Sequence, residues 1–128
     1  MSDGYRVLIT GSRTWTDREV IRDQIADVIL DSGANALGDG VTIVHGACPK
    51  GADQMADEVA ATWPGARVER HPADWDRHGK RAGFVRNAEM VGRGADICLA
   101  FIRNESKGAS MTADLAENAG IPTRRVTS

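Results

Sequence analysis

The chain has 128 residues, of which 41% are hydrophobic and 27% charged, the size and composition of one globular domain; this excludes a collagen-like, low-complexity or disordered chain. Sixteen basic against eighteen acidic residues leave a net charge of -2, which gives no bulk support to a duplex-DNA binder while leaving room for a locally basic site. No run approaches the roughly 20 apolar residues of a membrane span and no signal-peptide pattern opens the chain, so the expectation is a cytoplasmic protein with residues 1–128 as a single domain.

In chain order, short apolar runs alternate with longer amphipathic segments. Residues 5–10 read as a strand around Val7, Leu8 and Ile9. Residues 17–31 read as a helix with Ile21, Ile25, Val28 and Ile29 at helical spacing, stopped by Ser32-Gly33. After a polar connection, residues 41–45 form a second strand and residues 51–63 a second helix, ended by Pro64-Gly65. Residues 66–70 are a weaker strand, 71–78 a loop, and 80–93 a third helix closed by Gly94. Residues 96–102 hold an unbroken apolar core that fits a strand covered on both faces. Residues 108–118 are a fourth helix and 122–126 a short edge strand. This alternation predicts an α/β fold: a three-layer, Rossmann-like, mainly parallel sheet with helices on both faces. The two cysteines, Cys48 and Cys98, match no metal-ligand spacing, and Cys98 reads as a buried small hydrophobe. Neither a metal nor a cofactor is expected.

In such a sheet ligands bind outside the C-terminal ends of the strands, so the loops leading into helices are where function is sought. The first contains Gly11, Ser12 and Arg13: a glycine for close approach, a hydroxyl, and a guanidinium suited to phosphate or carboxylate. It reads equally as a plain turn with Asp17 capping the helix. The second runs from His45-Gly46 to Lys50-Gly51-Ala52-Asp53 and has neither P-loop nor dinucleotide-fingerprint order. Asp53 either complements the helix dipole or accepts a ribose hydroxyl. The last, with Ser106, Lys107, Gly108, Ala109, Ser110 and Thr112, packs small and hydroxyl-bearing residues around a helix start, as a phosphate nest does. The chain has only three lysines, Lys50, Lys80 and Lys107, each near a helix N-terminus, with Arg13 in the matching place of the first loop. Cations there oppose the helix dipole, which makes sense if an anion binds between them. Arg86 and Asn87, on the third helix, either reach a ligand or pair with a carboxylate such as Glu89. Trp15 and Trp75 either stack on a base or pack against the helices. His45, His71 and His78 fall on the same edge without metal-pair spacing.

Gly11-Ser12-Arg13, the stretch from His45-Gly46 to Gly51-Ala52-Asp53, and Gly79-Lys80-Arg81-Ala82-Gly83 with Arg86-Asn87 resemble the YspA-type branch of the SLOG superfamily. That Rossmann-like group includes the LOG phosphoribohydrolases and the DNA-processing protein DprA. Ser106 to Ala113, with Ala116, Gly120 and Pro122, looks much like the DprA version of the last motif. The resemblance implies a small nucleotide or nucleotide-derived ligand held over the strand ends, a sensor role, and a homo-oligomer. Two alternatives accompany it: a LOG-like nucleotide hydrolase and a DprA-like binder of single-stranded nucleic acid. The LOG glutamate position, counted from Thr112, is Leu115 in this chain, so the resemblance leans away from that enzyme, with His45, Asp53 and Asp114 left as candidate acid or base. The net charge of -2 does not help the nucleic-acid reading. A signalling role would need a separate effector partner.

Overall fold

The computed structural model describes residues 4–128. Its strands are β1 (Tyr5–Gly11), β2 (Val41–His45), β3 (Arg67–Arg70), β4 (Ile97–Ile102) and β5 (Thr123–Thr127). All pair in parallel, in the order β3-β2-β1-β4-β5. The helices are α1 (Arg18–Asp31), α2 (Ala52–Ala60), α3 (Trp75–His78), α4 (Ala82–Gly92) and α5 (Lys107–Asn118). The fold is the three-layer, Rossmann-like α/β arrangement that the alternating pattern predicts.

The period-two alternation of strand side chains sets the layers. Val7 and Ile9 of β1, with Ile97, Leu99 and Phe101 of β4, point to one face, where they meet Ile21, Ile25, Val28 and Ile29 of α1 and Ala56 and Val59 of α2. Leu8 and Cys98 point to the other, against Met90 and Val91 of α4 and Ala116 of α5. Ala100 and Ile102 meet Ala109 and Ala113 of α5. Every residue of β4 is buried, which explains its continuous apolar run.

Two boundaries differ from the periodicity reading, both near residue 79. Residues 71–78 are not a plain loop: Asp74 accepts a hydrogen bond from the Arg77 backbone N–H (3.1 Å) and starts the one-turn helix α3. Gly79, at φ +57°, then turns the chain into a 3-10 turn, Gly79–Arg81, so α4 begins at Ala82 rather than at Lys80. Elsewhere the ends shift by a few residues. Asp17 is the cap of α1, accepting from the Val20 backbone N–H at 3.2 Å, and α2 ends at Ala60 rather than at Trp63.

The chain runs from β1 outward through β2 to β3, then crosses back past β1 to β4 and continues outward to β5, so the strand order reverses between β1 and β4. That reversal opens a crevice at the C-terminal ends of β1 and β4.

Candidate functional site

The first loop is fixed from three sides. A Cβ on Gly11 would stand 2.3 Å from the Ala52 Cβ and 3.0 Å from the Phe101 carbonyl, so only glycine lets β1, β4 and α2 converge. The Ser12 backbone N–H donates to the Phe101 carbonyl (2.9 Å), and the Ser12 hydroxyl accepts from the Arg103 N–H (2.8 Å). The Ser12 carbonyl accepts from the Trp15 and Ala52 backbone N–H groups, both at 3.2 Å. Arg103 donates to the Thr14 carbonyl (2.5 Å). Trp15 is buried edge-on against Phe101, with centroids 5.4 Å apart, and its indole N–H donates to the Asp17 carbonyl (2.8 Å). Of the two readings for Trp15, packing is the one realised. This framework leaves the Arg13 side chain free to face outward, where its guanidinium lies 5.8 Å from the centre of the Trp75 ring.

The second loop is held by a buried polar core. His45 Nδ1 accepts from the Ala47 N–H (2.9 Å), which directs the Nε2 proton to Asp57 Oδ2 at 2.7 Å. Asp57 also takes a two-point contact from Arg70, at 2.7 and 3.1 Å, and its pKa lies below the ordinary range because of Arg70, with His45 adding to the effect. Asp53 is buried, and burial raises its pKa. Its carboxylate accepts from the Cys48 N–H (3.3 Å) and forms no bond that caps α2. Arg86 reaches back from α4 and donates to Asn87 Oδ1 (2.7 Å), to the Gly46 carbonyl and to the His71 carbonyl (3.4 Å). Burial lowers its pKa from the usual arginine value, offset in part by Asp53.

The last loop enters α5 through two consecutive left-handed residues, Asn104 (φ +53°) and Glu105 (φ +54°), an arrangement that costs energy for non-glycine residues. Ser106, at the cap position, makes no side-chain cap bond. Asp17 and Asp74 cap α1 and α3, whereas α2, α4 and α5 carry no side-chain cap. The first-turn N–H groups of α5 have no partner one turn back and open toward the strand ends.

These parts enclose a cleft of about 480 Å³ above β1 and β4. Among the residues named from sequence, Gly11, Ser12, Arg13, Asp53, Lys80, Arg86, Asn87, Ser106, Lys107, Gly108 and Ala109 line it. Gly46 and Lys50 line a neighbouring chamber of about 420 Å³ that shares Arg13 and Arg86. Four named residues line neither. Gly51 (φ +76°) and Ala52 pack under the first loop, where a Cβ on Gly51 would stand 2.4 Å from the Ser12 carbonyl. Thr112 is buried and donates to the Gly108 carbonyl (3.0 Å), and Ser110 continues the helix through its N–H to the Ser106 carbonyl.

The cleft's charge is one-sided: Arg13, Lys80, Arg86 and Lys107 against Asp53. Arg6, Arg18, Arg22, Arg70, Arg124 and Arg125 all sit in ion pairs. Among the described residues no carboxylate pairs with Arg13, Lys50, Lys80 or Lys107. The cleft's apolar wall holds Trp75, Phe84 and Met111, which are 51%, 44% and 42% exposed. Sequence reasoning misses Phe84 and Met90 of α4 and Met111 of α5, because an apolar residue on an amphipathic helix looks like core until the neighbouring helix is placed; it also misses Cys48, which lies in the second loop and reads there only as a thiol without metal-ligand spacing. Trp75 is exposed, so its ring is open for stacking. Asp114 pairs with Arg125 at 2.6 Å and Leu115 packs against the α4 side of the core; neither lines the cleft. No helix among the described residues is long and apolar enough to cross a membrane.

Residues 5–78 match the family described as "YspA, cpYpsA-related SLOG family". The Gene 61 protein of Mycobacterium phage D29 is 46% identical over 123 residues, covering 91% of this chain and 92% of that protein. Among solved structures, the C-terminal domain of a Pyrococcus furiosus hydrogenase aligns over 98% of this chain and 93% of its own, at 18% identity and a TM-score of 0.43.

Proposed function

The chain belongs to the YspA, cpYpsA-related SLOG family, and on that premise we propose that it binds a nucleotide or nucleotide derivative in the crevice above β1 and β4. One observation carries the reading: the uncapped N-terminus of α5, unpaired Arg13, Lys80 and Lys107, and the exposed rings of Trp75 and Phe84 all line one cleft at the strand reversal. An anion satisfies the N–H groups and cations together. A flat base covers the rings. The buried Asp53 carboxylate, on the cleft floor, is the acceptor for a sugar hydroxyl.

Binding rather than hydrolysis is the favoured role. His45 is committed to Asp57 and Ala47, and Asp114 to Arg125, so of the three candidate acids or bases only Asp53 lines the cleft, with no second carboxylate and no histidine in the lining to work with it. The test is thermal unfolding against a panel of mononucleotides, dinucleotides and a short single-stranded oligonucleotide. A ligand at about 100 times its Kd adds about 2.7 kcal/mol, which moves the midpoint by several degrees in a domain of this size. A rise with a small nucleotide supports the reading. A rise with the oligonucleotide alone, steeply weakened by salt, replaces it with nucleic-acid binding.

A further inference from the structure

The 480 Å³ cleft and the 420 Å³ chamber beside it share Arg13, Cys48, Trp75 and Arg86, so they are two compartments with a common wall. That wall is built around the Arg13 guanidinium stacked over the Trp75 ring. The first compartment is lined by the uncapped start of α5 with Lys107, and by the apolar side chains of Phe84 and Met111. The second has Lys50 beside the glycine-containing turn of the second loop, and Pro49, Pro72 and Ala73 as an apolar wall. Its lining includes three cations, Arg13, Lys50 and Arg86, and no carboxylate. Each compartment is large enough for a nucleoside-sized group. Of the three cations, Arg86 is already engaged with the Gly46 and His71 carbonyls, whereas Arg13 and Lys50 have no ion-pair partner among the described residues.

We propose that the site takes a two-part ligand, two nucleoside-sized groups joined by a pyrophosphate, with the bridge at Arg13 and one group in each compartment. This rests on the nucleotide reading above and adds the second compartment to it. A mononucleotide fills the first compartment and leaves Lys50 and the proline wall unused. A pyrophosphate-bridged ligand brings two negative charges to the one place where both compartments present Arg13, and puts a nucleoside-sized group against the apolar surface of each compartment.

The experiment is calorimetric titration with the four common nucleoside 5′-diphosphates and, for each base, its pyrophosphate-bridged dinucleoside. The wild-type protein should bind one bridged ligand at least tenfold more tightly than the matching diphosphate. In Ala73→Phe, which fills only the second compartment, that advantage should disappear while the diphosphate Kd stays within about twofold. Equal affinity for bridged and unbridged ligands overturns the two-part proposal and leaves the nucleotide reading standing. An advantage that survives Ala73→Phe in a variant with a wild-type circular dichroism spectrum also overturns it, because the second group then lies elsewhere. If Ala73→Phe does not fold, the wild-type comparison decides alone. No binding by either ligand series overturns both readings.

Discussion

Arg13 and Lys107 approach the cleft from different elements, a loop and a helix start, and neither is tied to a carboxylate among the described residues. Removing an unpaired surface cation leaves no buried group behind, so Arg13→Ala and Lys107→Ala should unfold at wild-type urea concentrations. A charge-assisted contact to phosphate contributes about 1.5–3 kcal/mol, so each variant should weaken nucleotide binding about tenfold or more by calorimetry. Glu69 behaves differently. Arg6 holds it through two hydrogen bonds, at 3.1 and 2.9 Å, and His71 adds a third at 2.7 Å, which together pull its pKa from 4.5 to about 2. A carboxylate depressed in the folded state favours folding above its unfolded pKa, and that contribution is lost as pH falls toward the folded value. Between about pH 4.5 and 2, Glu69→Gln should therefore flatten the fall of the urea midpoint seen in the wild type; parallel curves would remove Glu69 from the account. The two thiols also separate. Burial pushes the Cys98 thiol up to about 12, while Cys48 is half-buried at the compartment wall. A disulfide reagent at pH 8 should titrate one thiol in the folded protein and both in urea.

At the scale of elements, loop geometry limits what glycine substitutions can do. Gly51, at φ +76° and against the Ser12 carbonyl, cannot accept a Cβ without moving the first loop, so Gly51→Ala should lower stability by about 1–3 kcal/mol. Gly92, the last residue of α4, meets nothing within 4 Å, and Gly92→Ala should be neutral or stabilise by up to about 1 kcal/mol. Urea unfolding of the pair checks both; equal losses would mean that the left-handed turn at Gly51 does not hold the loop. The same scale shows what was legible in sequence. β4 was plain because six consecutive buried residues leave a continuous apolar signal, and α1 because its four buried residues recur at helical spacing. α3 was not, because four residues held by one cap have no periodicity to read. The start of α4 was misplaced by two residues for a related reason: Gly79–Arg81 form a single 3-10 turn that runs directly into Ala82, and one turn is too short for its period to be told from that of the α-helix that follows.

For the molecule as a whole, the net charge of -2 conceals an uneven distribution. Six arginines are neutralised in ion pairs on β1, α1, β3 and β5, while Arg13, Lys50, Lys80 and Lys107, with no carboxylate partner among the described residues, line the two compartments at the C-terminal edge of the sheet. The glycines and cations of this edge were readable one loop at a time. That two compartments meet at Arg13 and Trp75 was not, because it depends on strands β1, β2 and β4 lying side by side, and no local pattern encodes that adjacency. Likewise Gly51 and Ala52 read as ligand contacts in sequence, but in the fold they pack beneath the first loop. Whether nucleotide sits in the crevice between β1 and β4 is read by amide chemical-shift mapping of ¹⁵N-labelled protein with the nucleotide that gives the largest thermal shift. The largest perturbations should fall at Gly11 to Thr14 and Ser106 to Ala109, with Trp75 following. Perturbations centred on the opposite edge of the sheet, or none at saturating nucleotide, would contradict that location.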